Sequence, residues 1–295
     1  MNETVTSTRP SYEEAIARIK AYQAEEGADI NDVCRTRLWT HGHKTTRALV
    51  YFHGYTNCPA QFDQLGEILY EKGLNVYVPR LEHHGLKDVM STDQANLTSD
   101  MLVRLTNESI DIAHGLGESV TVMGLSAGGV MAAYAAQFRS DVDLAVVISP
   151  SFGLPFLPAP VSDLAKWILP VVPNMFIWWD PRVKEKIEGP SYGYPRFSTH
   201  ALMNVFKAGD LSRVEAKSKP PAAKHVVVIT SDSDTAIHLE TARDLAKEWW
   251  VTAPDRVQVY TFPKEQHIIH DMIDPRQTAQ RVDVVYPVIL QYLGV

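Results

Sequence analysis

The sequence is poor in cysteine, has no long basic run and has no extended apolar stretch. Its only two cysteines, Cys34 and Cys58, are too few for a framework of several disulfides or a zinc site, so we expect both to be free thiols. Proline or charge interrupts each apolar stretch well before the length of a transmembrane span. Residues 1–10 lack the apolar segment of a secretory signal. These absences predict a cytoplasmic protein with no transmembrane span.

The sequence also has no segment in which positive charge is concentrated. The net charge is −7, and no patch of lysine and arginine suits nucleic acid or an anionic membrane surface. The histidine pairs His41/His43 and His83/His84 have no acid or cysteine ligands nearby in a recognisable pattern. We therefore expect a small-molecule partner, no nucleic acid, no metal and no cofactor.

What is present is an alternation of apolar strands and amphipathic helices. Ser11 and Glu14 form a capping box that opens an N-terminal helical extension, residues 1–30. Beyond it, short buried strands alternate with helical segments, which predicts an α/β fold with a mostly parallel central sheet and helices on both faces. The main predicted strands are residues 47–52, 75–79, 119–123, 143–149, 225–230 and 256–262.

One stretch breaks this alternation. Residues 150–195 hold nine of the chain's eighteen prolines, together with Trp167, Trp178 and Trp179. A segment this apolar needs a surface to pack against, so we predict that residues 151–215 form a cap inserted between two core segments, 31–150 and 216–295. The tryptophans fit either the core of the cap or the wall of a substrate pocket, because ligand pockets are themselves mostly apolar.

The strongest chemical signal is Gly124-Leu125-Ser126-Ala127-Gly128 between a predicted strand and a predicted helix. A G-x-S-x-G turn in that context exposes its serine above the sheet edge, and glycines on either side prevent collisions with neighbouring backbone. The following helix supplies free N–H groups and the positive end of its dipole. This pattern predicts that Ser126 is a nucleophile.

An earlier buried strand ends in His53-Gly54-Tyr55. Acyl transfer needs two backbone donors for the tetrahedral oxygen, one after the nucleophile and one from the loop that follows an early strand. The N–H groups of Ala127 and Tyr55 fit those roles. We interpret His53 as a structural group that shapes the loop, since a better base exists near the C-terminus.

Candidate acids and bases follow the last two strands. Asp232 and Asp234 both lie in the loop after residues 225–230, and either could orient a histidine or cap the next helix. His267 and His270 both follow the last strand. We favour His267, because it comes first after the strand and can overhang the sheet edge toward Ser126.

These stretches resemble the carboxylesterase and monoacylglycerol-lipase branch of the α/β-hydrolase superfamily. The resemblance covers most of residues 47–295, outside the N-terminal helix and much of the cap. It implies an α/β-hydrolase fold, an oxyanion donor at Tyr55, Asp234 rather than Asp232 as the acid, and His267 as the base. It is carried by the segments ALVYFHGYTNCPAQFDQLGEILYEKGLNVYVPRLEHHG, VTVMGLSAGG, VVVITSDSDTAI and HIIHDMIDP.

The expected function is hydrolysis of a hydrophobic carboxylic ester, medium-chain or aromatic, through an acyl-enzyme with the triad Ser126, Asp234 and His267. An aminopeptidase, amidase or lactonase using the same triad is the first alternative. An aminopeptidase would need an acidic pocket, and residues 151–179 contain only one acid, Asp163. A non-catalytic ligand receptor that keeps the fold is the alternative of another class.

Overall fold

The structure is a computed structural model that describes residues 9–155, 166, 171–180, 182 and 189–295. Its centre is a seven-stranded sheet of order β1-β3-β2-β4-β5-β8-β9, in which only β1 runs antiparallel to its neighbour. The strands are β1 (Arg37–Trp39), β2 (Thr45–Phe52), β3 (Asn75–Val78), β4 (Gly117–Leu125), β5 (Leu144–Ile148), β6 (Phe176–Trp178), β7 (Arg196–Ser198), β8 (His225–Ser231) and β9 (Val257–Phe262). This confirms the predicted α/β class and its mostly parallel sheet.

Helices cover both faces of the sheet. The α-helices of the described residues are α1 (Tyr12–Glu25), α2 (Asp63–Glu71), α3 (Ser99–Leu116), α4 (Ala127–Phe138), α5 (Thr199–Ala216), α6 (Leu239–Thr252) and α7 (Val282–Leu293). None of the helices in this described part is long and apolar enough to cross a membrane.

Strand β2 illustrates why both faces are covered. Its side chains alternate between two apolar cores: Ala48 and Phe52 join the core beneath α3 to α6, whereas Leu49 and Tyr51 join the core beneath α2 and α7. A strand places successive side chains on opposite faces, so a run that is apolar throughout requires a helical layer on each side.

The N-terminal helix begins as predicted. The Ser11 hydroxyl accepts from the Glu14 N–H, and the Glu14 carboxylate accepts from the Ser11 N–H. Ala15 and Ile19 are fully buried in the core that also contains α3. Gly115 on α3 permits this contact, because a Cβ there would lie 2.6 Å from the Cβ of Ala15.

The segment predicted as a cap contains two kinds of structure. Strands β6 and β7 form a separate antiparallel pair. Helix α5, in contrast, buries Ala201, Val205 and Phe206 in the core beneath the main sheet. Part of residues 151–215 therefore packs against helices α3 and α4, and the division into core and cap stays a prediction.

The two cysteines form a disulfide, so the prediction of free thiols is wrong. Cys34 and Cys58 have Cα atoms 5.2 Å apart, and both side chains are buried. Residues 24 positions apart in sequence meet because β1 lies beside β3 at the sheet edge, a proximity that spacing alone does not reveal. Disulfides are rare in the cytosol. The bond therefore weighs against the predicted cytoplasmic location.

Replacing both cysteines, Cys34→Ala with Cys58→Ala, should lower the free energy of unfolding by about 3 kcal/mol, since the bond restricts the unfolded chain over a loop of this length. Urea unfolding of the variant and of the oxidised wild type measures the difference. Titration of thiols in the unreduced, denatured wild type is the control. Two reactive thiols there would contradict the disulfide.

Candidate active site

Ser126 occupies a strained turn between β4 and α4. Its φ is 62° and its ψ is −113°, a backbone conformation that residues other than glycine rarely adopt. The turn is held on both sides: the Ser126 N–H donates to the Ile148 carbonyl at 3.0 Å, and the Ser126 carbonyl accepts from the Val130 N–H at 3.0 Å. The side chain is only partly buried. The sequence motif therefore folds as the predicted strand–turn–helix unit.

Two glycines make this turn possible. A Cβ at Gly124 would lie 2.0 Å from the Gly128 carbonyl oxygen, and a Cβ at Gly128 would lie 1.8 Å from the Phe52 carbonyl oxygen. Real Cβ atoms do not approach backbone oxygens so closely. Any other residue at either position would push α4 away from the strands.

The loop after β2, residues 53–58, lies beside this serine. A Cβ on Gly54 would lie 3.6 Å from the Ser126 Cβ. The Tyr55 hydroxyl donates to the Gln94 amide oxygen at 2.8 Å and accepts from the Ser198 N–H at 3.1 Å, which fixes that side chain. In the described chain neither the Tyr55 N–H nor the Ala127 N–H has a hydrogen-bond partner. Both donors are therefore free for an incoming oxygen.

His53 is fully buried at the start of this loop. Its Nε2 accepts from the Leu81 N–H at 3.1 Å, so Nδ1 carries the proton and donates to the Gly54 carbonyl at 2.9 Å. Burial, together with the nearby His84 ring, holds the pKa of His53 well below the usual histidine range. A neutral ring with both nitrogens occupied by backbone fits the interpretation of a structural histidine.

Asp234 and His270 form a hydrogen-bonded pair. The His270 Nδ1–H donates to Asp234 Oδ2 at 2.7 Å, while Asp234 Oδ1 accepts from the Ala236 N–H at 2.9 Å. The Asp234 side chain is buried. With Nδ1 committed to the carboxylate, Nε2 is the ring nitrogen left to act as a base.

The prediction of His267 needs correction, because the structure does not bring this residue to Asp234. After β9 the chain makes a 3-10 turn over Lys264–Gln266, and His267 caps it in the left-handed conformation, φ 52°, with an exposed side chain. Ile268 then enters the core, and its carbonyl accepts from the Ser231 hydroxyl at 2.8 Å. His270 is the residue that reaches the acid.

A sequence signal favouring His270 exists. His267 follows the polar run Lys264-Glu265-Gln266, which is typical of an exposed turn, whereas His270 lies among the apolar residues Ile268, Ile269, Met272 and Ile273. Taking the first histidine after the last strand as the base was therefore the wrong criterion.

The two acids of the preceding loop are also separated. Asp232 pairs with Arg243 of α6 and does not join the site. Asp234 is the acid that meets a histidine, in line with the choice that the resemblance implied.

The electrostatics of the pair are consistent with its geometry. Burial disfavours the charged form of His270, but the Asp234 carboxylate outweighs this and raises the histidine pKa. Burial also disfavours the charged form of Asp234, but the charge and hydrogen bond of His270 outweigh this and lower the pKa of Asp234. Each group therefore stabilises the charged form of the other.

Ser126 and His270 line one cavity of about 690 Å³. Apolar side chains form much of its wall: Leu154, Ile177, Trp178, Trp179, Phe197, Leu202, Phe206 and Ile269. The Trp179 ring packs on Phe197 with centroids 4.3 Å apart, and its Nε1–H donates to the Thr56 hydroxyl at 3.0 Å. Trp178 and Trp179 thus reach the cavity, whereas Trp167 lies outside the described residues. In the described part of the chain no cluster of ligand-type side chains suits a metal.

A family model described as the alpha/beta hydrolase family matches residues 49–281. The match covers well over half of the chain, so the chain belongs to the alpha/beta hydrolase family. This confirms the family that the motifs predicted. A search of curated proteins gave no match.

Solved structures share the fold at low identity. A structure reported for LipS and LipT, two metagenome-derived lipolytic enzymes, superposes with a TM-score of 0.67 at 15% identity, covering 90% of this chain and 100% of that chain. A Paleococcus ferrophilus monoacylglycerol lipase gives 0.64 at 17%, covering 88% and 98%. A soluble variant of the Saccharomyces cerevisiae monoglyceride lipase gives 0.64 at 12%, covering 88% and 90%.

Replacing each of the two histidines by alanine in turn tests the corrected assignment of the base. His270→Ala should reduce kcat on an activated ester on the order of 10⁴-fold, as for other triad histidines, because the proton acceptor is lost. His267→Ala is the matched control and should change kcat less than about threefold, since an exposed side chain away from the chemistry contributes little. Steady-state kinetics on p-nitrophenyl butyrate compares them. The opposite ranking would restore His267.

Proposed function

We propose that this protein is a serine carboxylic-ester hydrolase in which Ser126 is the nucleophile, His270 the general base and Asp234 the acid that orients it. One observation carries the proposal: a strained, partly exposed serine and a histidine bound to a buried carboxylate line the same cavity. Backbone strain of this kind persists only where the surrounding structure enforces it and is concentrated at functional sites.

The first chemical step is acylation. His270 Nε2 accepts the proton from the Ser126 hydroxyl while the oxygen attacks the ester carbonyl carbon. The carbonyl oxygen becomes an oxyanion that accepts from the Tyr55 and Ala127 N–H groups. When the intermediate collapses, the bond to the alcohol oxygen breaks and the alcohol leaves with the proton held by His270.

The second step is hydrolysis of the acyl-enzyme. A water gives a proton to His270 Nε2 and attacks the same carbonyl carbon. The bond to Ser126 then breaks, the acid is released and His270 returns the proton to the serine oxygen. Asp234 keeps the ring in one tautomer throughout and stabilises the imidazolium that forms twice per cycle.

The apolar cavity wall supports a hydrophobic ester as substrate. Leu202 and Phe206 of α5 and Leu154 provide aliphatic and aromatic surface, and Trp178 extends it from β6. The names of the lipases and esterases that share the fold are in keeping with such a substrate. A medium-chain or aromatic ester is our proposal for the substrate class.

An aminopeptidase is supported less well. Among the described residues two acids line the cavity, and both carboxylates already have partners. Asp180 pairs with Arg182, and Asp271 accepts from three side-chain amides. A substrate ammonium group would have to displace these interactions.

Covalent labelling tests the nucleophile. A fluorophosphonate probe should label the wild-type protein at one site, and Ser126→Ala should abolish both labelling and ester turnover, because capture requires an activated serine. Ser151→Ala is the matched control, since Ser151 lines the same cavity and should leave labelling intact. Mass spectrometry of the adduct locates it. An unlabelled but folded wild type would favour a non-catalytic receptor.

Substitution in the cavity wall tests the substrate class. Trp178→Ala should raise KM for p-nitrophenyl octanoate about tenfold, because about 50 Å² of lost apolar contact at about 25 cal/mol per Å² amounts to about one factor of ten. KM for p-nitrophenyl acetate should change much less. Trp250→Ala is the control, a half-exposed tryptophan of α6 outside the cavity. Equal effects on both esters would show that Trp178 does not bind the acyl chain.

A further inference from the structure

Asp271 follows the proposed base directly and lines the cavity, yet the mechanism above does not use it. Its carboxylate accepts from three neutral side-chain amides: Asn57 Nδ2 at 2.9 Å, Gln61 Nε2 at 2.8 Å and Gln277 Nε2 at 2.7 Å. Within the described chain no lysine or arginine forms an ion pair with it. The side chain is partly buried, and a carboxylate that loses hydration without gaining a cation is costly, so a purely space-filling role is a poor explanation.

Asn57 belongs to the loop that carries Gly54 and Tyr55, and Gln61 belongs to the 3-10 turn that follows this loop. The Gln61 amide is fixed at both ends: its nitrogen donates to Asp271, and its oxygen accepts from the Gly54 N–H at 3.0 Å and from the Tyr51 hydroxyl at 2.9 Å. An amide has one donor end and one acceptor end. The carboxylate therefore dictates that the Gln61 oxygen faces Gly54.

Asn57 provides a second, shorter connection. Its nitrogen donates to Asp271, and its oxygen accepts from the Cys58 N–H at 2.9 Å. The residues bound in this way, Gly54 and Cys58, flank Tyr55 on both sides. The segment from Gly54 to Cys58, which includes the Tyr55 N–H, is thus held at both ends through one carboxylate.

The same carboxylate is a charge beside the base. Asp271 is covalently adjacent to His270, and its negative charge adds to that of Asp234 in raising the histidine pKa. Burial and the charge of nearby Asp274 raise the pKa of Asp271 itself to about 6, so it is mostly ionised at neutral pH.

We propose that Asp271 is a positioning residue. Through the Gln61 and Asn57 amides it holds the loop that carries the Tyr55 N–H in a fixed position relative to His270. The proposal rests on the proposed function. One carboxylate joins the loop that carries the base to the loop that carries the oxyanion donor, so the two can be set relative to each other with the accuracy that transition-state hydrogen bonds require.

Asp271→Asn tests this directly. The NH₂ group of the introduced amide would face an NH₂ group of Gln61 or Asn57, where a carboxylate oxygen now accepts. The Gln61 or Asn57 amide then loses its fixed orientation. We expect kcat to fall about 10- to 100-fold with KM within about threefold, as for misplaced transition-state donors. The acid limb of the pH profile of kcat/KM should also move to lower pH, because a negative charge next to His270 has gone. Inhibition by a trifluoromethyl ketone should weaken in proportion to kcat.

Two further variants separate positioning from charge and from stability. Gln61→Leu should reproduce the loss of kcat but leave the acid limb in place, because Asp271 keeps its charge. Asp274→Asn removes a buried carboxylate three residues away, which contacts Tyr192 and Arg276, and should leave kcat within about threefold.

Fluorophosphonate titration normalises every rate to the fraction of active serine. A wild type that is not labelled would overturn the proposed function, whatever the variants do. With a labelled wild type, wild-type kcat in Asp271→Asn, or a loss of kcat explained entirely by fewer titratable sites, would overturn the positioning role. Loss of kcat in Asp271→Asn without any effect of Gln61→Leu would overturn the proposed route through Gln61.

Discussion

The strained backbone at Ser126 is the constraint on which the rest of the site depends. A non-glycine residue at φ 62° and ψ −113° costs on the order of 1–3 kcal/mol, and the turn persists because its neighbours leave no alternative. Strand β4 lies in the middle of the parallel sheet, so the turn follows a strand that is hydrogen-bonded on both sides, to β2 and to β5. The contact of Gly128 with the Phe52 carbonyl then draws α4 against the end of β2, where the His53–Gly54 loop begins.

The remaining groups meet at Ser126 because parallel strands end at one edge. The loops after β2, β4, β8 and β9 supply Tyr55, Ser126, Asp234 and His270 in turn. Such loops carry polar groups above a buried sheet, where ligands of open α/β sheets bind. The pairing of β8 with β9 in register, Ser231 opposite Phe262, brings the acid loop and the histidine loop side by side. The distance between Asp234 and His270 is therefore a consequence of strand register.

The sequence was sufficient where local structure decides the outcome. The G-x-S-x-G turn and the capping box of α1 are set by residues within a few positions of one another, and the parallel sheet was predicted from the local alternation of strands and helices; these predictions hold. It was insufficient where a choice depends on tertiary direction. Whether His267 or His270 faces the acid depends on a left-handed residue that turns the chain after a 3-10 turn, and the disulfide depends on two loops meeting across the sheet edge.

The loop that carries Tyr55 is connected to more of the molecule than any local motif suggests. Thr56 adopts a positive φ of 64°, its carbonyl accepts from the Tyr194 N–H at 2.8 Å, and its hydroxyl accepts from Trp179. The disulfide fixes Cys58 at the far end of the same loop. Trp179 of the cavity wall is therefore hydrogen-bonded to the loop whose Tyr55 N–H is the proposed oxyanion donor. In the proposed mechanism the position of this loop sets the strength of the donor, so the fit of an acyl group against Trp179 and the rate of acylation are physically linked there.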